Sequence, residues 1–350
     1  MIGELERGAI ADVDQLEARL SEPSGAVVDA MSRISGDVVV LGVGGKMGPT
    51  LARMIKRAAE QAGGPGASRR VIGVSRFGSG DLEAKLHQHG IETVRCDLLD
   101  AQQVRRLPQA ENVIFMAGMK FGSTGNESLT WAMNAHLPAL VCEQYAQSRI
   151  VAFSTGNVYG LAPVNGGGSV EGDALNPAGE YAMSCLARER MFEHFSLTQA
   201  TAVATIRLNY ATELRYGVLV DLAQQVRDGQ PIDLGMGNMN VIWQGDANAM
   251  AIAALEHAAS PPFVLNVAGP EQLSVRRVCR QFGELMGKPV HFTGQEADSS
   301  LLNNGQLGHR LFGYPRVSAQ QLLRWTAHWV MRGGETLGKP THFQVRDGKF

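Results

Sequence analysis

Asp37-Val-Val-Val-Leu-Gly-Val-Gly-Gly-Lys-Met-Gly-Pro-Thr-Leu-Ala-Arg-Met-Ile55 decides how the rest of the chain is read. An apolar run containing Val38, Val39, Val40 and Leu41 meets a glycine turn, and Leu51, Met54 and Ile55 then recur at helical spacing. The stretch therefore reads as strand, phosphate loop and helix. Gly42-x-x-Gly45-x-x-Gly48 uses three glycines at even spacing. Such glycines serve a turn with positive φ, room for a pyrophosphate against bare backbone, and close packing of helix on strand. The free N–H groups at the helix start would face phosphates. A dinucleotide site is expected here.

Working outward, strands and helices alternate with short connections. Val71-Ile-Gly-Val-Ser75, Glu92-Thr-Val-Arg-Cys-Asp-Leu-Leu-Asp100, Asn112-Val-Ile-Phe-Met-Ala-Gly118 and Arg149-Ile-Val-Ala-Phe-Ser154 read as further strands. The pattern is that of a doubly wound parallel α/β sheet, a Rossmann fold, whose ligands lie at the carboxyl ends of the strands. Four segments are expected: a helical arm over 1–35, a dinucleotide-binding domain over 36–206, a smaller α/β substrate lobe over 207–330, and a tail over 331–350 that packs on the body. The substrate-lobe strands could return to the main sheet. Asp246 is expected to cap a helix over 247–257. The second strand ends in Ser75-Arg76, where an acidic residue would bind both ribose hydroxyls. Arg76 can hold a 2′-phosphate bidentately, which favours NADP, with NAD the alternative. A surface arginine is the plain reading of the same residue.

The chain has 350 residues, 44% of them hydrophobic, with 32 basic and 34 acidic residues for a net charge of −2. No basic run interleaves with aromatics, so nucleic acid is not an expected partner. No apolar run reaches membrane-spanning length. Cys96, Cys142, Cys185 and Cys279 are scattered without metal-ligand spacing, so no metal site is expected and a reducing compartment fits. The first residues, Met1-Ile-Gly-Glu-Leu-Glu-Arg7, are acidic where a secretory leader would be basic and then apolar. A cytoplasmic protein is the expectation. The tail carries Leu337, Phe343, Val345 and Phe350, apolar residues that argue against a disordered segment.

Over about Asp37 to Ala254 the sequence resembles the extended short-chain dehydrogenase/reductase superfamily, which contains the nucleotide-sugar epimerases and dehydratases. Besides the glycine motif, Cys96-Asp-Leu-Leu-Asp100 is similar to its third-strand signature, Phe115-Met-Ala-Gly-Met-Lys120 to the Ala-Gly-Leu-Lys stretch of UDP-galactose epimerases, and Phe153-Ser-Thr-Gly-Asn-Val-Tyr-Gly160 to its Ser-Ser-x-x-Val-Tyr-Gly segment. Tyr181 follows Thr155 by 26 residues, a spacing normal for the catalytic tyrosine. The resemblance implies cofactor contacts at Gly42, Gly45, Lys46, Met47 and Gly48, at Asp97 and Leu98, at Ala117, Gly118 and Lys120, and at Tyr181. It implies Thr155 and Tyr181 as catalytic residues, and Asn157, Asn209 and Tyr210 as substrate-facing. Arg215 and Arg310 are candidates to clamp an anionic substrate group. Relatives pair through the helices carrying Tyr181 and Trp131, so a homodimer is expected.

One position departs from the pattern. The superfamily carries Tyr-x-x-x-Lys, and this chain reads Tyr181-Ala-Met-Ser-Cys185. That lysine lowers the phenol's pKa and holds the nicotinamide ribose, and a thiol does neither at neutral pH. Three readings stay open: Lys120 supplies the charge and joins the catalytic residues, hydride transfer proceeds without it, or the fold serves as a non-catalytic dinucleotide sensor. A nucleophilic Cys185 ranks below these, having no histidine partner in evident reach. The expected function is an NAD(P)-dependent oxidoreductase, epimerase or dehydratase acting by hydride transfer on a sugar-derived or small polyhydroxy or hydroxy-acid substrate.

Overall fold

The computed structural model describes residues 8–348 apart from Ser79, Phe121 and Ser123. The first seven residues of the expected arm and Phe350 of the tail lie outside the described residues. Seven parallel strands form the central sheet: β1 (Val38–Leu41), β2 (Val71–Ser75), β3 (Glu92–Arg95), β4 (Asn112–Phe115), β5 (Arg149–Thr155), β6 (Ala202–Leu208) and β7 (Phe263–Val267). Their order is β7-β6-β5-β4-β1-β2-β3. Val39 of β1 pairs with Ile72 on one side and Val113 on the other. The order therefore reverses at β1, with β2 and β4 on opposite sides, and this switch point opens a crevice beyond the strand ends.

Both faces of the sheet are covered, which explains the unbroken apolar run of β1. Val38 and Val40 belong to the core on one face, Val39 and Leu41 to the core on the other, and all four are fully buried. Each such side chain contributes about 1.5–3 kcal/mol on burial. The arm supplies α1 (Val13–Leu20), capped by Asp12, and α2 (Gly25–Arg33), capped by Ser24. Val27 and Met31 of α2 join the sheet core with Met54 and Ile55 of α3 (Gly48–Ala62). Leu16 and Leu20 of α1 enter the core of the second lobe instead. The arm thus sits against both cores.

The segment after β4 forms a helix at Glu127–Trp131, a π-helical turn at Ala132–His136, and α4 (Leu137–Gln144). Next comes the long α5 (Gly179–Gln199). The second lobe packs α6 (Val218–Arg227), α8 (Val275–Met286) and α9 (Ala319–Met331) around Phe282, Trp243 and Trp329. Between them α7 (Gln244–Ala253) is buried along its whole length. Asp246 does not cap it, because the helix begins two residues earlier; its carboxylate accepts hydrogen bonds from Arg316 Nε at 3.2 Å and Val317 N at 3.1 Å. It anchors the approach to α9.

Beyond α9 the chain turns back over the lobe. Thr341 gives hydrogen bonds from its N and Oγ1 to Asp221 Oδ2 at 2.7 and 2.6 Å, and Arg346 reaches the carbonyls of Gly235 and Ser299. At the far end Gly348 meets the start of α5. A Cβ on Gly179 would fall 2.4 Å from Gly348 O.

Candidate active site

The strand ends at the switch point build one cavity of about 330 Å³. Gly42 leaves β1 with φ +88°, and a Cβ there would lie 2.8 Å from Ala117 N, so only glycine lets the ends of β1 and β4 approach. Gly48 is sealed from below, with Val43 O 2.3 Å from an added Cβ. Gly45 is exposed, and an added Cβ would meet only Gly42 O, at 3.4 Å. No side chain caps the start of α3. Pro49 has no N–H and Leu51 N is bonded to Met47 O, so the donors the helix start can offer beside the open glycine are the N–H groups of Gly48 and Thr50, a cradle that fits a pyrophosphate.

Across the cavity, β5 delivers Thr155 and α5 delivers Tyr181. The Thr155 hydroxyl is hydrogen-bonded to the Tyr181 phenol, and it also gives a bond to Asn157 Oδ1 at 3.2 Å. Burial pushes that phenol far above its ordinary value, and Cys185 adds to the push; the Thr155 bond and the positive charge of Arg188 oppose it. Cys185 is fully buried, and burial raises its thiol, so no thiolate forms there at neutral pH. Lys120 is half-buried with Nζ 5.5 Å from the centroid of the Tyr181 ring, and burial lowers its ammonium to about 8.

The loop carrying Lys120 is fixed by the π-helical turn, a local distortion often found at functional sites. Asn134, fully buried in that turn, accepts from Met119 N and donates to Met119 O, both at 2.9 Å. Its amide also donates to Ser184 Oγ at 2.9 Å, joining the loop to α5. Among the described residues no cluster of His, Cys, Asp or Glu could hold a metal ion, and no helix is long and apolar enough to cross a membrane.

The sequence profile of the NAD-dependent epimerase/dehydratase family matches residues 38–268. The chain belongs to this family. No curated protein matches it. Among solved structures, it is similar to the dTDP-glucose 4,6-dehydratase of Streptomyces venezuelae with NAD bound, at 18% identity and a TM-score of 0.70 over 85% of this chain and 97% of that one. It is similar also to the UDP-glucuronic acid 4-epimerase of Bacillus cereus in complex with UDP-glucuronic acid and NAD, at 16% identity and a TM-score of 0.68 over 85% of this chain and 99% of that one. A third, the dTDP-glucose 4,6-dehydratase of Bacillus anthracis in complex with NAD, shares 15% identity at a TM-score of 0.69, over 85% of this chain and 97% of that one.

Within this epimerase/dehydratase frame, Gly42, Gly45, Lys46, Met47, Gly48, Gly118, Lys120, Thr155, Asn157, Tyr181, Asn209 and Tyr210 all line the cavity. Arg76, Asp97 and Leu98 sit outside it, on the β2 and β3 side, and Ala117 is buried beneath Gly42. Asn209 is 2% exposed and turns its amide to Asn240 Oδ1 at 2.8 Å, so its side chain belongs to the lobe's interior. Tyr210 has φ +38°, and its buried hydroxyl has no hydrogen-bond partner among the described residues. Arg215 stands apart from the cavity, ion-paired to Glu213 and to Glu17 at 3.0 Å each. Arg310 is exposed on a short helix, Gln306–Phe312, also away from it.

The lining also includes Tyr216, Gly217, Gln244 and Thr341, none of which the sequence had marked as a site residue. Lys46 crosses the crevice to place Nζ 3.3 Å from the centroid of the Tyr216 ring. Burial first, then the charges of Lys339 and Lys120, lowers its ammonium to about 7. Thr341 comes from the tail, whose apolar content was the only signal for a packed segment. Arg188 was missed as well, although its helical spacing from Tyr181 and Cys185 was there to read.

Proposed function

We propose that this family member is an NAD(P)-dependent epimerase, dehydratase or oxidoreductase whose acid–base residue is Tyr181. The observation that carries the reading is the contact of Tyr181 with Thr155 in the same cavity as the open Gly45 and the bare start of α3. The loop of Gly42 to Gly48 and α3 would hold the pyrophosphate, and Thr155, Tyr181 and Lys120 would flank the nicotinamide end. A bound nicotinamide supplies a hydride acceptor and donor. Tyr181, held protonated by its surroundings, can give that proton to a substrate oxygen gaining negative charge and receive it again in the reverse sense. Thr155 steadies the same oxygen, and the Lys120 ammonium over the ring favours the phenolate. Tyr210 lines the cavity, with its hydroxyl buried and without a hydrogen-bond partner among the described residues.

NADP is the cofactor we infer, because Arg76 is exposed at the end of β2 and no carboxylate pairs with it among the described residues. The solved relatives above carry NAD in their own sites. A sugar-derived or small hydroxy-acid substrate, a homodimer and a cytoplasmic setting complete the proposal. The second reading, a dinucleotide sensor without turnover, draws on Cys185 in the lysine position. Purified protein titrated with NADPH and NADH, then offered sugar-derived and hydroxy-acid substrates while nicotinamide absorbance is followed, separates the two. Turnover supports the enzyme, and tight binding without turnover on the panel supports the sensor.

A further inference from the structure

Tyr181, Cys185 and Arg188 follow one another at four and three residues along α5, which puts them on one face of the helix. Long helical side chains lean back toward the helix N-terminus, so Arg188 extends toward the turn that holds Cys185. Its environment fits a charge with a purpose at that place. The residue is 6% exposed; Nη1 donates to Phe153 O at 2.7 Å and Nη2 to Asn134 Oδ1 at 2.5 Å. A Cβ on Gly118 would fall 2.2 Å from Nη2, so the guanidinium lies directly beneath the loop that leads to Lys120. Nε is buried with no hydrogen-bond partner among the described residues. The neighbouring carboxylate, Glu189, is taken by Arg207 and Ser154, and among the described residues no carboxylate pairs with Arg188.

A buried cation without a countercharge is costly. Arg69, 5% exposed, is likewise held by the carbonyls of Gly36, Met31 and Ile34, so what sets Arg188 apart is its place beside Tyr181 and Cys185.

We propose that Arg188 is the buried cation of the Tyr181 site, taking over from the next helical turn the charge that the Tyr-x-x-x-Lys pattern would place at residue 185. The inference rests on the functional reading given above and deepens it. Arg188 touches no reacting atom and is a positioning residue: its field favours the Tyr181 phenolate, and through Asn134 it holds the loop of Lys120. In support, Arg188 acts against the burial that raises both the Tyr181 phenol and the Cys185 thiol. The two cations differ in kind. Lys120 can lose its proton, while a guanidinium stays charged at every accessible pH.

The test is a cycle that separates charge from bulk. Cys185→Lys and Cys185→Met are each made in the natural chain and in Arg188→Met, with melting temperature and NADPH affinity read on all. With Arg188 present, Cys185→Lys should melt below Cys185→Met, since two like charges then share one buried place. In Arg188→Met that order should reverse, and Cys185→Lys should recover most of an NADPH affinity that Arg188→Met lowers by about tenfold. Should Arg188→Met not fold, Arg188→Lys takes its place in the comparison with Arg188→Gln: retained affinity in the first and loss in the second support the charge. Equal behaviour of lysine and methionine at 185 in both backgrounds, or of lysine and glutamine at 188, overturns the proposal. Failure of the natural chain to bind NADPH would instead count against the cofactor reading, while the order of melting temperatures would still decide the role of Arg188.

Discussion

Arg207 on β6 and Arg188 on α5 are both buried against β5, the one 5% and the other 6% exposed. Arg207 lies beside Ser154 in the strand register and is neutralised in place. Its Nη2 meets Glu189 Oε2 at 2.8 Å, and its Nη1 donates to Tyr159 OH at 2.7 Å and to Glu171 O at 3.1 Å. Arg188 has two carbonyl partners and, among the described residues, no carboxylate. The first arrangement closes on itself and can do little but hold β5, β6 and α5 together. The second leaves its field to act on Tyr181 and Cys185. Burial alone does not tell a scaffold charge from one that serves a site; what the charge is paired with and which groups it faces together do.

The contrast is broken most severely at the closed pair. Glu189→Gln keeps the shape but strands Arg207, and should cost about 3–5 kcal/mol in chemical denaturation. A loss under about 1 kcal/mol would mean the pair is no scaffold. The same distinction between a sealed group and one turned to the cavity recurs in the glycine loop. Gly48→Ala drives a Cβ toward backbone at Val43 and should cost about 1–3 kcal/mol of stability. Gly45→Ala should leave the melting temperature nearly unchanged while weakening NADPH binding, because its Cβ would enter only the open cradle. Identical effects of the two substitutions would remove the distinction.

Arg76 sharpens the comparison from outside the cavity, as an exposed cation without a carboxylate partner among the described residues. Arg76→Ala should lower affinity for NADPH by about tenfold and leave that for NADH alone. Equal loss of both would deny it a role at a 2′-phosphate. The smallest effect is in the pH dependence. Burial lowers Lys46 to about 7 and Lys120 to about 8, whereas in an unfolded chain both titrate near about 10.4. Between those values the unfolded chain binds more protons, so their contribution to stability rises with pH. Lys46→Met should flatten that rise in melting temperature above about pH 7, and an unchanged slope would contradict it.

The glycine loop and the parallel strands were legible because each rests on local chemistry, a positive φ and an apolar run, while Tyr181 was marked by the resemblance and its spacing from Thr155. Cavity contacts that come from far along the chain were not. Arg215 looked free to clamp an anion, yet its partner Glu17 lies 198 residues earlier. Asp246 preceded a helical stretch and read as its cap, but the burial of Gln244 and Gly245 extends that helix backwards and frees the carboxylate for Arg316. Thr341 reaches the cavity only through the fold-back of the tail. At Cys185 the sequence showed that a charge was missing, and the third dimension showed which side chains surround the gap.

Single-turnover reduction of NADP by an active substrate, compared between the natural chain and Tyr181→Phe, tests the role of Tyr181 most directly. A rate lower by about 10²–10⁴-fold in Tyr181→Phe, with NADPH binding unchanged, is the predicted result. Equal rates in the two proteins would contradict it.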